Sequence, residues 1–142
     1  FAPYSYERHQ DLLAAVQVHP LVTLEHLGET LDKRDLTLVK IGDDAAHKRN
    51  IWITARQHPG ETMAEWLIEG LLYSLLDSDN ATGKQLLDKA NFYIVPNMNP
   101  DGIYFMMCMV MKHCRMYSSL GHKGRQATVT VLLDYVISFQ RY

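Results

Sequence analysis

The stretch Ile51-Trp-Ile-Thr-Ala-Arg-Gln-His58-Pro-Gly-Glu61-Thr-Met-Ala-Glu-Trp-Leu-Ile-Glu-Gly-Leu-Leu72 decides the fold. It reads as a buried strand, a tight polar turn and a long apolar helix, the run expected at one end of a parallel α/β sheet. His58 and Glu61 stand at the turn, three positions apart. In open α/β sheets ligands gather just past the carboxyl ends of strands. Imidazole nitrogen and carboxylate oxygen both suit zinc, which makes the two a natural ligand pair. Two plainer readings remain open. Glu61 can simply favour the positive N-terminus of the helix, and His58 can be a loop histidine bonded to a backbone carbonyl.

Working outward, Asn50 to Ala55 is apolar enough to be a central strand covered on both faces. The following helix opens with a capping-box pattern, Thr62-x-x-Glu65, and leaves a narrow polar face at Glu65, Glu69 and Tyr73. Asp77 to Gly83 reads as a polar loop, Gln85 to Ala90 as a short helix and Asn91 to Val95 as a buried strand stopped by Pro96. Strand, long helix and strand imply a parallel crossover. That places the turn at His58–Glu61 and the turn formers Asn97 to Gly102 at one sheet edge. Upstream, Ser5 is the expected N-cap of a helix with Leu12, Leu13 and Val16 on one face. Leu21 to Leu27 and Leu36 to Ile41 form an expected hairpin around the turn residues Gly28 to Asp35. Downstream, Ile103 to Met111 is Met-dense without clear periodicity, Ser118 to Gln126 reads as a loop, and Thr128 to Phe139 as a strand or short helix.

Composition excludes several classes. The 142 residues suit one domain with a real core. Lys+Arg 14 against Asp+Glu 16 gives no electrostatic case for nucleic acid. No apolar run reaches the roughly 18 residues of a membrane span. Cys108 and Cys114, spaced C-x5-C, fit neither a redox pair nor a zinc finger and read as reduced buried thiols of a cytoplasmic chain. The start at Phe1, with no signal-peptide pattern, suggests a piece of a longer chain or a processed product. No G-x-G-x-x-G, P-loop or G-x-S-x-G motif occurs, so a nucleotide or small-molecule binder is the poorest reading.

Four segments share wording with a known family: Ala2-Pro-Tyr-Ser-Tyr-Glu-Arg-His9, Gly28-Glu-Thr-Leu-Asp-Lys-Arg-Asp-Leu36, Gln57-His-Pro-Gly-Glu-Thr62 and Pro96-Asn-Met-Asn-Pro-Asp-Gly102. Together they resemble the zinc metallocarboxypeptidases, and best the cytosolic carboxypeptidase branch in its bacterial form. The resemblance covers Phe1 to Gly102, with the motifs in the family's order. It implies an α/β fold, here a partial mixed sheet with covering helices, the N-terminal part of a phosphorylase/hydrolase-like catalytic domain. It also implies hydrolysis of C-terminal peptide bonds by a zinc-activated water, with a peptide or protein C-terminus as substrate. The family's His-x-x-Glu ligands carry over to His58 and Glu61, and Zn2+ is the implied cofactor.

The family's third ligand, its general base and the arginine that binds the substrate carboxylate find no counterpart in the matching region. The downstream histidines His113 and His122 are not favoured as replacements. Lys33 stands where the family has a turn glycine, a change that an Asp-Lys turn tolerates. The expected organisation is therefore residues 1–102 as the N-terminal part of a carboxypeptidase-like domain, and 103–142 as a tail unlike the family, packed on it. Half a sheet leaves an unpaired edge, hence an expected self-association. The chain by itself is expected to be inactive. The competing reading is a non-catalytic α/β pseudoenzyme or binding domain with a residual metal site.

Overall fold

Among the described residues a four-stranded mixed sheet is built from the N-terminal hairpin and the strand–helix–strand unit. The structure is a computed structural model describing residues 2–43, 45 and 47–109. Phe1–Tyr104 make one compact unit; of the second, Phe105–Tyr142, residues 105–109 are described. The expected elements after Met109, with His113, Cys114 and His122, lie outside the described residues.

Helix α1 spans Tyr6–Val16, and the Ser5 side chain caps it by accepting from the Arg8 backbone N–H at 3.1 Å. His9, Leu12, Leu13 and Val16 form its buried side. Strands β1 (Val22–Glu29) and β2 (Asp35–Ile41) pair antiparallel, with a bulge between His26 and Gly28. Lys33 in their turn has φ 62°, the left-handed conformation that a glycine would adopt without strain. Strand β3 (Arg49–Thr54) lies parallel to β4 (Ala90–Val95), and β2 closes the other side of β4 antiparallel.

Two sequence expectations about these strands part ways. β4 has a neighbour on each side and is nearly all buried. β3 was expected to be central and covered on both faces, yet among the described residues it pairs with β4 alone and exposes Ile51 and Trp52. The two strands are about equally apolar, and apolarity does not say which has a second neighbour. Trp52 finds partial cover by stacking on Tyr93, 4.8 Å between ring centroids.

Helix α2 (Thr62–Leu76) and helix α3 (Ala81–Lys89) connect β3 to β4. Helix α3 starts inside the expected loop because the Asn80 side chain accepts from the N–H groups of Thr82 and Gly83. In α2 the capping-box expectation fails: Glu61 is the N-cap residue, it makes no side-chain cap bond, and Glu65 is buried. The expected polar face turns inward at Glu65, while Met63 and Leu67 are exposed. One core joins Leu12, Leu13 and Val16 of α1, Ile68, Leu72 and Leu75 of α2, and Val39, Ile41, Phe92 and Ile94 of the sheet. Each such apolar side chain contributes about 1.5–3 kcal/mol on burial.

Outside that core α1 is clamped to α2 by charge. Arg8 donates to Glu69 through Nε (3.0 Å) and Nη2 (2.6 Å), and its guanidinium lies 4.2 Å from the Trp66 ring centre. Tyr4 Oη donates to the same carboxylate at 2.7 Å. The bonds from Arg8 hold the Glu69 carboxyl below its usual range, against burial, which pushes it up. Burial and the Glu69 carboxylate together push the Tyr4 phenol far up. Residues 100–109 are helical, where only turn formers and an aperiodic apolar run were legible. Pro100 occupies the first helical position, and the Asn99 side chain accepts from the Gly102 N–H at 2.9 Å.

Candidate metal-binding turn

The turn after β3 is made by the strand itself. Ala55 extends the pairing to β4 by donating to the Val95 carbonyl at 2.9 Å, and its own carbonyl accepts from the Met98 N–H at 2.9 Å. The chain then reverses at Arg56, whose φ is 48°. Glu61 N–H donates to the His58 carbonyl at 3.1 Å and Ala64 N–H to the Glu61 carbonyl at 3.0 Å, so the turn runs directly into α2. This brings the two candidate ligands together: His58 Nδ1 lies 2.9 Å from Glu61 Oε1, and both side chains are largely exposed.

The second turn at this edge braces the first. Asn99 Nδ2 donates to the Gln57 carbonyl at 3.2 Å, and a β-carbon on Gly102 would sit 2.5 Å from Pro59 Cγ. Asp101 joins this turn to the β1–β2 hairpin. It accepts from Thr30 Oγ1 at 2.7 Å, from Arg34 Nη1 at 2.6 Å and from the Asp32 N–H at 3.2 Å. Burial pushes the Asp101 carboxyl up, but the bonds from Thr30 and Arg34 outweigh it and leave it below its ordinary value. Arg34 in turn stacks over Tyr104 at 4.1 Å.

Sequence reading missed the residues beneath the turn. Arg56 and Glu65 are each 1% exposed and form a buried ion pair through Nη1 and Oε2. The other Glu65 oxygen lies 2.9 Å from His9 Nδ1, near enough for charge to matter but without hydrogen-bond alignment. A signal was present: Glu65, Ile68, Leu72 and Leu75 share the 3-4-3 spacing of one helix face, so Glu65 belongs to the buried stripe.

The zinc carboxypeptidase family model matches residues 10–130. The chain belongs to the zinc carboxypeptidase family. The match runs past Gly102, where the sequence motifs end. A crystal structure from Shewanella denitrificans, named as a carboxypeptidase A candidate, is 74% identical and superposes with a TM-score of 0.72, covering 74% of this chain and 28% of that one. An uncharacterized protein of Zymomonas mobilis is 49% identical over 102 residues, 72% of this chain and 26% of its own. Cytosolic carboxypeptidase 6 of Mus musculus is 33% identical over 109 residues, 72% of this chain and 20% of its own. This zinc carboxypeptidase chain thus spans between 20% and 28% of the length of these relatives. Among its described residues no helix is long and apolar enough to cross a membrane, and no group of three His, Cys, Asp or Glu side chains is placed to hold a metal ion.

Proposed function

We propose that this chain supplies part of the metal site of a zinc-dependent carboxypeptidase, with His58 and Glu61 as two of the ligands. The observation that carries the reading is the 2.9 Å approach of His58 Nδ1 to Glu61 Oε1 at the end of β3. Two donors about 2.0–2.1 Å from a tetrahedral zinc stand roughly 3.3 Å apart. A small separation of these side chains would therefore open a seat for the ion. Their exposure leaves room for further ligands and for substrate. Family membership supports zinc as the ion. When bound, zinc would supply a water of lowered pKa and polarise the scissile carbonyl. His58 and Glu61 bind, and the bonds from Asn99 and within the turn orient them.

The substrate is then a peptide or protein C-terminus, and the catalytic acid–base group is not among the residues assigned. A catalytic zinc needs three protein ligands and this reading assigns two, so the chain alone is expected to be inactive. The same shortage favours the second reading, a non-catalytic domain with a residual metal site. The relatives named cytosolic carboxypeptidases support a cytoplasmic location. The edge of β3 that is unpaired among the described residues, and the exposed Ile51 and Trp52 on that strand, support self-association.

Zinc uptake by equilibrium dialysis, followed by metal analysis of the chain and of His58→Ala, tests the metal site. Bound zinc that the substitution abolishes is expected; no uptake by the parent chain overturns the reading. Cleavage of a peptide ending in glutamate, blocked by a chelator, would overturn the inactivity of the chain alone.

A further inference from the structure

Arg56 occupies an expensive position. It takes a left-handed backbone conformation that a β-carbon disfavours, and its guanidinium is removed from water. Its donors reach several segments. Nε and Nη2 both donate to the Pro59 carbonyl, at 3.2 and 3.0 Å. Nη1 donates to the Tyr4 carbonyl at 2.8 Å and to Glu65 Oε2. Glu65 in turn approaches His9 of α1. One cation therefore ties the segment before α1, the turn and the first turns of α2 together.

Stability is a weak reason for such a cluster, because well-packed apolar replacements for buried ion pairs are often as stable or more so. What apolar side chains cannot do is grip a carbonyl. The Pro59 carbonyl lies between His58 and Glu61, and two N–H groups of one planar fork fix its direction. Glu65, which holds that fork, sits one helical turn beyond Glu61.

We infer that Arg56, anchored by Glu65 and the Tyr4 carbonyl, is a positioning residue that holds the His58–Glu61 turn in its metal-accepting shape. The inference rests on the reading of His58 and Glu61 as ligands. It also says why a charged cluster lies under an exposed turn. The fork keeps two exposed side chains convergent, although no packing around them would do so.

The test compares the parent chain with Arg56→Lys, Arg56→Met and the double variant Arg56→Met/Glu65→Leu, which removes both buried charges and keeps the fold accessible. Three quantities are read: the unfolding midpoint, the zinc affinity by competition with a chromophoric chelator, and the exchange rate of the Glu61 amide, which donates to the His58 carbonyl. The double variant is expected to fold, with zinc affinity lower by about 10–100-fold, as when supports of metal ligands are removed. Its Glu61 amide should exchange clearly faster than the parent's. Arg56→Lys restores the charge pair without the fork, so stability recovers while affinity and exchange do not. A folded double variant with parental affinity and parental Glu61 exchange overturns the inference, as does full recovery of all three quantities in Arg56→Lys. If the parent chain and His58→Ala take up zinc equally, the ligand reading fails; Glu61 exchange then still decides whether Arg56 holds the turn, an unchanged rate overturning it.

Discussion

Replacing Gly102 with alanine sets two effects of opposite sign against each other. Residues 100–109 are helical, and alanine is preferred over glycine inside a helix by about 0.8–1 kcal/mol. The new β-carbon, however, would lie 2.5 Å from Pro59 Cγ, 2.7 Å from Asn99 Oδ1 and 2.8 Å from Asn99 Nδ2. Neither neighbour yields cheaply. The proline ring is rigid, and the carbonyl of that residue is held by Arg56. The Asn99 amide is committed at both ends, to the Gln57 carbonyl and the Gly102 N–H. Overpacking of this kind costs about 1–3 kcal/mol, and giving up the Asn99 cap costs about 1 more. The clash should win, leaving Gly102→Ala about 1–3 kcal/mol less stable. Gly70→Ala is the matched control: it lies in α2 with nothing within 4 Å of the new atom, so only the propensity gain remains, about 0.5–1 kcal/mol of stabilisation. Urea unfolding at one temperature reads both, and the expected thermal shifts are about 4–8 °C per kcal/mol in a unit of this size. If Gly102→Ala is as stable as the parent, or if both substitutions move stability the same way, the close fit of the two turns is refuted.

The remaining predictions concern charge and the sheet edge. Glu65→Leu alone leaves Arg56 buried without its carboxylate and should cost about 3–5 kcal/mol in urea unfolding; a loss under 1 kcal/mol would show that water reaches the pair. Asp101 is held below its usual pKa, so its bonds stabilise the fold above about pH 4, where the unfolded carboxyl is charged, and are lost as pH falls through the lower folded value. The stability gap between the parent and Asp101→Asn should accordingly be largest near pH 7 and shrink towards pH 3; a constant gap would speak against it. Trp52→Lys should weaken association of the chain in sedimentation velocity across a concentration series, since it places charge on the exposed face of β3. A parent chain that is monomeric throughout that series would rule out association through this edge.

Local signals carried much of the fold. The Ser5 cap and the β1–β2 hairpin follow from side-chain patterns acting within a few residues, and the parallel pairing of β3 with β4 follows from the strand–helix–strand order; the structure holds all three. Lys33 was legible in the same way, as a turn position that tolerates a side chain at positive φ. The order of strands within the sheet is a different kind of fact. Ile51-Trp-Ile and Phe92-Tyr-Ile are about equally suited to burial, yet β4 has two neighbours and β3 one among the described residues. Residue composition expresses a tolerance for burial, and a partner strand far along the chain decides whether that tolerance is used.

The approach of His58 to Glu61 was legible for a related reason. A strand end followed by Pro-Gly puts both residues in one turn, three positions apart, a spacing that permits the contact without dictating it. What lies under it was not legible, because the rule applied to Glu65 was local while its partner is not. Thr62-x-x-Glu65 satisfies the capping-box wording, but the cap competes with a guanidinium delivered by the end of β3. A carboxylate on the buried stripe of a helix must find a cation or lose its charge, since the cost of leaving it unpaired far exceeds the roughly 1 kcal/mol that a cap contributes. Arg56 meets that need, and meeting it draws the turn that carries His58 down onto α2. The burial of one charge and the placement of the exposed pair are thus the same structural event, and reading either from sequence requires asking which apolar helix face carries an acid and where its partner must come from.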